Sequence, residues 1–234
     1  MQTVRNQPPA GSSSRPSRKA RSNQARSEAT RSALVEAARA LFADKGYADT
    51  STPEIVARAG VTRGALYHHF ADKLELFRAV VEQEAMAVAE RIADDTVDLD
   101  TPLAAMLAGA RSYFDAMQAP GRTRLLMLEG PVVLGIEAMD EIDRRSGGFE
   151  LRQVLAAAVA TRNAADVPLD ALTTALSAAF DKAAVAIAAG GSADDYLEAM
   201  RILTSGIPGL ETPTPDEGRP IAPRDGGPEE EIRS

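Results

Sequence analysis

The stretch TPEIVARAGVTRGALYHHF, residues 52–70, decides how the rest of the chain is read. Two short helical patterns flank Gly60. The second carries a glycine, a tyrosine and two histidines on a segment too short to make a core by itself. Thr52, Pro53 and Glu54 place a cap, a first-turn proline and an acid at a helix start. That helix ends at Gly60, and Thr62 caps a second one over about 63–69. At about 100° per residue, Leu66 and Phe70 share one face of the second helix. They face Ile55, Val56, Ala59 and the first helix, about 28–45, while Gly64, Tyr67 and His68 point away. Gly60 permits the tight crossing. This is helix-turn-helix geometry, whose second helix lies in a DNA major groove. The bland alternative is an αα-corner with a solvated polar face.

Each outward residue has a reason on the first reading. Gly64 has no side chain, so a DNA backbone or base can come close. Arg63 can reach a guanine edge or a phosphate. Tyr67 and His68 can donate hydrogen bonds to phosphate oxygens. Thr52 and Thr62 present hydroxyls and free backbone N–H groups to phosphates. Lys73, at the start of the next helix, adds a cation beside them.

Working outward, the 234 residues fit one or two domains, and 44% are hydrophobic. Aromatics are only 4%, so the core rests on Leu, Ala, Val, Ile and Met. The absence of cysteine excludes disulfides, zinc fingers and thiol catalysis. No apolar run is read as approaching the roughly 20 residues of a membrane span, and no signal peptide is evident. A soluble, intracellular protein is the expectation. The net charge of −8 is uneven: residues 1–31 hold seven Lys+Arg against the single acid Glu28, a net +6, and the rest holds 19 basic and 33 acidic residues, a net −14. A basic arm on an acidic body suits an anionic partner such as nucleic acid, or serves only as a solubilising tail.

The expected class is all-α. Residues 1–26 read as a disordered basic arm and 207–234 as a disordered Pro/Gly/acidic tail. A three-helix DNA-binding domain covers 27–75 and a ligand-binding and dimerisation bundle covers 76–206. Helices are expected at about 28–45, 53–59, 63–69, 72–94, 101–118, 122–134, 138–163, 168–189 and 193–205.

Residues 28–80 closely resemble the DNA-binding domain of the tetracycline-repressor-like (TetR) family of bacterial transcriptional regulators. The matching pieces are ARALFADKGYADTS (38–51) and PEIVARAGVTRGALYHHFADKLELF (53–77), with a Leu-Tyr-x-x-Phe core and a lysine three residues on. The resemblance implies an all-helical fold, operator binding as a homodimer, and repression relieved by a small molecule. It places base and backbone recognition on Arg63, Gly64, Tyr67 and His68, phosphate contacts on Thr52 and Lys73, and the cap on Thr62.

Metal and catalysis are set aside. His68 and His69 diverge by about 100° on a helix and cannot chelate together as an i, i+4 pair would. A Ser-His-Asp arrangement would have to use one of these same two residues. No cofactor is expected and no enzyme.

In the C-terminal half, Pro131 inside RLLMLEGPVVLG (124–135) kinks or breaks an apolar helix. A small, mostly apolar effector is expected between the helices of 101–190. Its candidate lining is Met86, Met106, Tyr113, Met117, Leu125, Met127, Leu128, Val132 and Phe149, with Arg111 and Glu129 as polar neighbours. The alanine-dense segment 170–191, with 193–205, is the expected dimer surface, with Ala179 and Ala183 facing the partner. The alternative function is a DNA-binding regulator with no small-molecule ligand, controlled by a protein partner or by abundance.

Overall fold

The computed structural model describes residues 18–164 and 166–211, so the disorder expected over 1–17 and 212–234 lies outside the described residues. The described residues form helices and no strands. They run α1 (Arg18–Lys45), α2 (Thr52–Ala59), α3 (Arg63–His69), α4 (Lys73–Thr96), α5 (Pro102–Met117), a π-helical segment (Arg124–Glu129), α6 (Gly130–Leu134), α7 (Ile136–Arg144), α8 (Gly147–Thr161), α9 (Leu169–Ala188) and α10 (Ala193–Thr204).

Helices α1–α3 and the first turns of α4 make a small head. Its core is Leu34, Ala38, Phe42, Ile55, Leu66, Phe70 and Phe77, each at most 2% exposed. Phe42, Tyr47 and Phe77 meet with ring centroids 5.0–5.8 Å apart. Helix α1 begins nine residues before the expected boundary at 27. Residues 23–26 are exposed there, and the sequence of this stretch has no hydrophobic period to read. Its residues are mostly good helix formers, and no proline follows Pro16 before Pro53.

Helix α4 leaves the head and enters the body, where it packs with α5 and α8, and α8 in turn packs on α9. Met106, Phe114, Leu155, Ala158, Leu176 and Phe180 fill this bundle. The helix expected over 138–163 is two helices. The corner falls at Ser146-Gly147-Gly148, where Asp143 Oδ1 accepts the Gly148 N–H at 3.1 Å. A Cβ on Gly148 would stand 2.6 Å from the Asp143 carboxylate, so only glycine permits the turn. The helix expected over 122–134 contains the π-helical segment, closed by the Gly130 N–H on the Leu125 carbonyl. The wider turns absorb Pro131, which has no N–H to continue an α-helical ladder. Past α10, Ile207 and Leu210 fold back onto the core and are buried, so the first residues of the expected tail belong to the body.

Helix α9 corrects the reading of apolar runs. Leu169–Ala188 is long and apolar enough to cross a membrane by length and composition, with mean hydropathy 1.3. One face of it, Thr173, Leu176, Phe180, Ala183 and Ala184, is buried in the bundle. Ala183 is 2% exposed within its own subunit, so it does not face a partner.

Head and body are joined by buried charge. Glu84 on α4 is 4% exposed. It accepts from Arg39 of α1 at 3.1 and 3.2 Å and from Arg122 at 2.8 Å. Arg39 and Arg122 also donate to the carbonyls of Pro120 and Ala116. Burial pushes the Glu84 carboxyl up, and the two guanidiniums outweigh it, so the group sits below the ordinary range. A second tie runs from the π-helical segment. Arg124 donates to the carbonyls of Asp44 and Lys45 at the end of α1, and Glu129 accepts the Tyr47 N–H at 2.8 Å.

Candidate nucleic-acid interface and interior cleft

The α2–α3 unit is held by local chemistry. Ser51, not Thr52, is the N-cap of α2, and it forms a capping box with Glu54. Thr52 is the first helical residue instead. Lys45 forms an ion pair with Glu54, and the carboxyl of Glu54 is lowered to about 2, chiefly by that bond. Gly60 takes the left-handed conformation at φ 65° and ends the helix. Thr62 caps α3, accepting the Ala65 N–H at 3.1 Å. Asp72 caps α4.

On α3, Leu66 and Phe70 are buried, and Arg63, Gly64, Tyr67 and His68 are exposed. The geometry divides the faces as the 3.6-residue period requires. The Arg63 guanidinium lies 5.5 Å from the centre of the Tyr67 ring, so the two stand together on the outer face. A Cβ on Gly64 would meet only the Thr62 hydroxyl, at 3.9 Å. Gly64 shows no left-handed φ either. Nothing inside the protein therefore requires glycine at this position.

Lys73 is placed differently from the expectation. Its ammonium donates to the Tyr47 and Thr50 carbonyls at 2.8 and 3.0 Å and lies 4.1 Å from the centre of the Tyr47 ring. Two of its three protons hold the α1–α2 loop, so its first role is structural.

The body contains a cleft between α4, α5, α8 and α9. It is lined by Ile92, Met106, Tyr113 and Phe180, among others, and by Asp143, Glu150 and Asp181. Of the nine expected lining residues, only Met106 and Tyr113 belong to it. Met117 and Leu125 are closed core, at 2% and 0% exposed. Met127 packs at the edge of the core. Met86, Leu128, Val132 and Phe149 are exposed on the outside. Arg111 pairs with Asp194 on the surface, and Glu129 serves the head–body tie. The misplacement has more than one origin. The π-helical segment at Arg124–Glu129 shifts the register of Leu128 and Val132, and the corner at Gly147-Gly148 turns Phe149 outward.

The cleft's polar lining is not legible as such in the sequence. Tyr113 donates to Asp181 at 2.6 Å, and Ser177 donates to Asp143 at 2.9 Å. Burial raises Asp181 to about 6. Burial raises Asp143 and Glu150 as well, and holds the Tyr113 phenol well above its usual value. In sequence Asp143 reads as part of a solvated acidic face, and Glu150, Ser177 and Asp181 carry no signal that sets them apart from other polar residues on helices.

Comparison with known proteins closes the assignment. Residues 34–80 match the family described as bacterial regulatory proteins, tetR family. Residues 103–207 match the tetracyclin repressor-like C-terminal domain. The chain is 25% identical over 184 residues to the HTH-type transcriptional repressor AcnR of Corynebacterium diphtheriae, covering 76% of this chain and 90% of that one. The crystal structure of a TetR-family transcriptional regulator from Pectobacterium atrosepticum is similar at 29% identity and TM-score 0.62, covering 79% of this chain and 96% of that one. The fold is shared with FadR from Bacillus subtilis, solved with stearoyl-CoA, at 15% identity and TM-score 0.62, over 72% of this chain and 96% of that one. Both halves of the molecule and its helix-turn-helix agree: this chain belongs to the TetR family of bacterial transcriptional regulators, which are DNA-binding proteins and not enzymes.

Proposed function

We propose that this chain is a repressor that binds a pseudo-palindromic operator as a homodimer, and that a small molecule in the interior cleft of each subunit releases it. The observation that carries the DNA contact is Gly64. Glycine in a helix costs about 1 kcal/mol against alanine, and here no neighbour demands it. Close approach of a DNA backbone or base explains it. Arg63, Tyr67 and His68 beside it supply donors to base edges and phosphates, and Thr52 and Thr62 supply helix N-termini. Lys73 has one proton left for a phosphate.

Dimer formation is supported by symmetry. One seven-residue helix reads too few base pairs, and two-fold pairing doubles the contact. The free face of α9 carries the exposed residues Ala171, Thr174, Ala175 and Ala178, small enough for a second copy to approach closely. Ala178→Glu is therefore the variant that separates subunits, in place of any change at Ala183. The protein acts in the cytoplasm, on the nucleoid. Operator selection followed by footprinting tests the reading. Protection of a symmetric site by the parent, lost on changing Arg63 and Tyr67 together, is expected. Unchanged protection by that double variant would remove α3 from the contact.

A further inference from the structure

The cleft has a charge of one sign. Its lining includes three carboxylates, on Asp143, Glu150 and Asp181, and no lysine, arginine or histidine. Asp143 is partly occupied by the Gly148 N–H and the Ser177 hydroxyl. Asp181 accepts one hydrogen bond, from Tyr113, where a carboxylate has room for about four. Glu150 has no hydrogen bond or ion pair among the described residues. The same chain neutralises its buried carboxylate fully, since Glu84 is held by two guanidiniums. The cleft carboxylates are partly withdrawn from water, and a cation beside them offsets that cost. The cleft gives a cation room to stand, because the carboxylates line open space.

The walls limit its shape. The free volume is about 70 Å³, within about 570 Å³ of empty space that includes the mouth. An apolar cavity of about 150 Å³ takes benzene, so the enclosed part holds a narrow chain rather than a ring system, and the rest of a ligand lies toward the mouth. Ile92, Met106 and Leu151 give an apolar lane, and the Tyr113 and Phe180 rings stand edge to face in the same wall, centroids 6.0 Å apart. Aromatic faces add attraction for a cation.

We propose that the cleft is the site of a slender organic amine, its cationic head between Asp181 and Glu150 and its hydrocarbon arm along Ile92, Met106 and Leu151. This rests on the reading of the cleft as the effector site. A fatty acid or other anion would meet like charge in it.

The test is calorimetric titration of the full chain at pH 7.5 with three probes of similar length: n-hexylamine, 1-hexanol and hexanoate. The amine is expected to bind at least ten-fold more tightly than the alcohol, with no binding of hexanoate. Asp181→Asn should erase that preference. Glu150→Gln, at a half-exposed position that leaves folding alone, should reduce it several-fold. Equal binding of amine and alcohol, tighter binding of hexanoate, or no binding of any probe would overturn the proposal, as would a preference that survives both substitutions. Operator release is scored separately. An alcohol that releases DNA while the amine does not overturns the amine site and leaves the repressor reading. An amine that binds as expected and leaves DNA bound supports the site and removes the release step.

Discussion

This chain buries carboxylates in two places and treats them oppositely. At the junction of head and body, Glu84 is gripped by Arg39 and Arg122, one from each side. In the cleft, Asp181 is partly exposed and has only a tyrosine hydroxyl. The first arrangement is structural. It places a satisfied ion cluster where α1 must keep a fixed angle to α4 and to the turn after α5. The second leaves charge without an internal partner, which lowers the stability of the empty protein. A fold retains such a feature where something else occupies the space.

The contrast predicts opposite signs. Glu84→Ala leaves two guanidiniums without their anion at a buried site, and breaking one side of a buried pair costs about 3–5 kcal/mol. The melting temperature should fall by about 10 °C or more, since each kcal/mol moves a chain of this size by roughly 2–4 °C. A variant that melts with the parent would show that the cluster is solvated and holds nothing.

Asp181→Asn should act the other way. Burial raises this carboxyl from 3.8 to about 6 in the folded protein. The folded state then holds its proton more tightly than the unfolded chain. Stability therefore falls as pH rises from about 4 to about 6, and the full penalty is present at neutral pH. The other groups facing it are Asp143, Glu150 and Tyr113, all acidic, and no cation in the lining offsets them. Asparagine keeps an acceptor for Tyr113 and removes the charge. The variant should be more stable than the parent at pH 7.5 by up to about 3 kcal/mol, and equal to it near pH 4. Denaturant titrations at the two pH values read this directly. A variant less stable at pH 7.5 would mean that the charge is paired by something the cleft does not show.

The same division explains what the sequence made legible. On α3 the functional side chains stand outside a dry core, so the helical period separates Leu66 and Phe70 from Arg63, Gly64, Tyr67 and His68. The cleft inverts this. Its functional groups point inward among Ile92, Met106 and Phe180, and a period that sorts inside from outside cannot tell a cavity wall from a packed core. The π-helical turns at 124–129 and the glycine corner at 147–148 then displace the register. That is why Leu128, Val132 and Phe149 are expected inside and stand exposed. The early start of α1 escapes the sequence for a related reason, since a solvated helix has no pattern of burial. Ser51 escapes as a cap because Thr52 beside it has the same chemistry, and only the bond to the Glu54 N–H distinguishes them.

The head supplies smaller effects that test the outward half of the comparison. Arg63→Ala should weaken operator binding by about 1–3 kcal/mol if the guanidinium reads a base edge. It should leave thermal stability nearly unchanged, because its intramolecular contacts are a 3.5 Å approach to the Tyr67 hydroxyl and the ring beneath it. Lys73→Ala should differ in kind. It frees the Tyr47 and Thr50 carbonyls, so it should lower stability and DNA affinity together. Affinity that falls at constant stability would return Lys73 to a phosphate contact alone.

Gly64→Ala is the smallest change and the sharpest. Gly64 is the second residue of an exposed helix, its φ is not left-handed, and an added methyl group would touch only the Thr62 hydroxyl. On folding grounds alanine is the better residue there, by about 0.5–1 kcal/mol. On DNA the same methyl would stand where a sugar-phosphate backbone or base edge must come near. Stability and operator affinity should therefore move in opposite directions, with the melting temperature up by a few degrees and binding down by ten-fold or more. No purely structural role produces that pair of signs. Melting curves and mobility shifts on a single preparation would settle it, and a rise in stability with unchanged DNA binding would mean that α3 presents some other face to the operator.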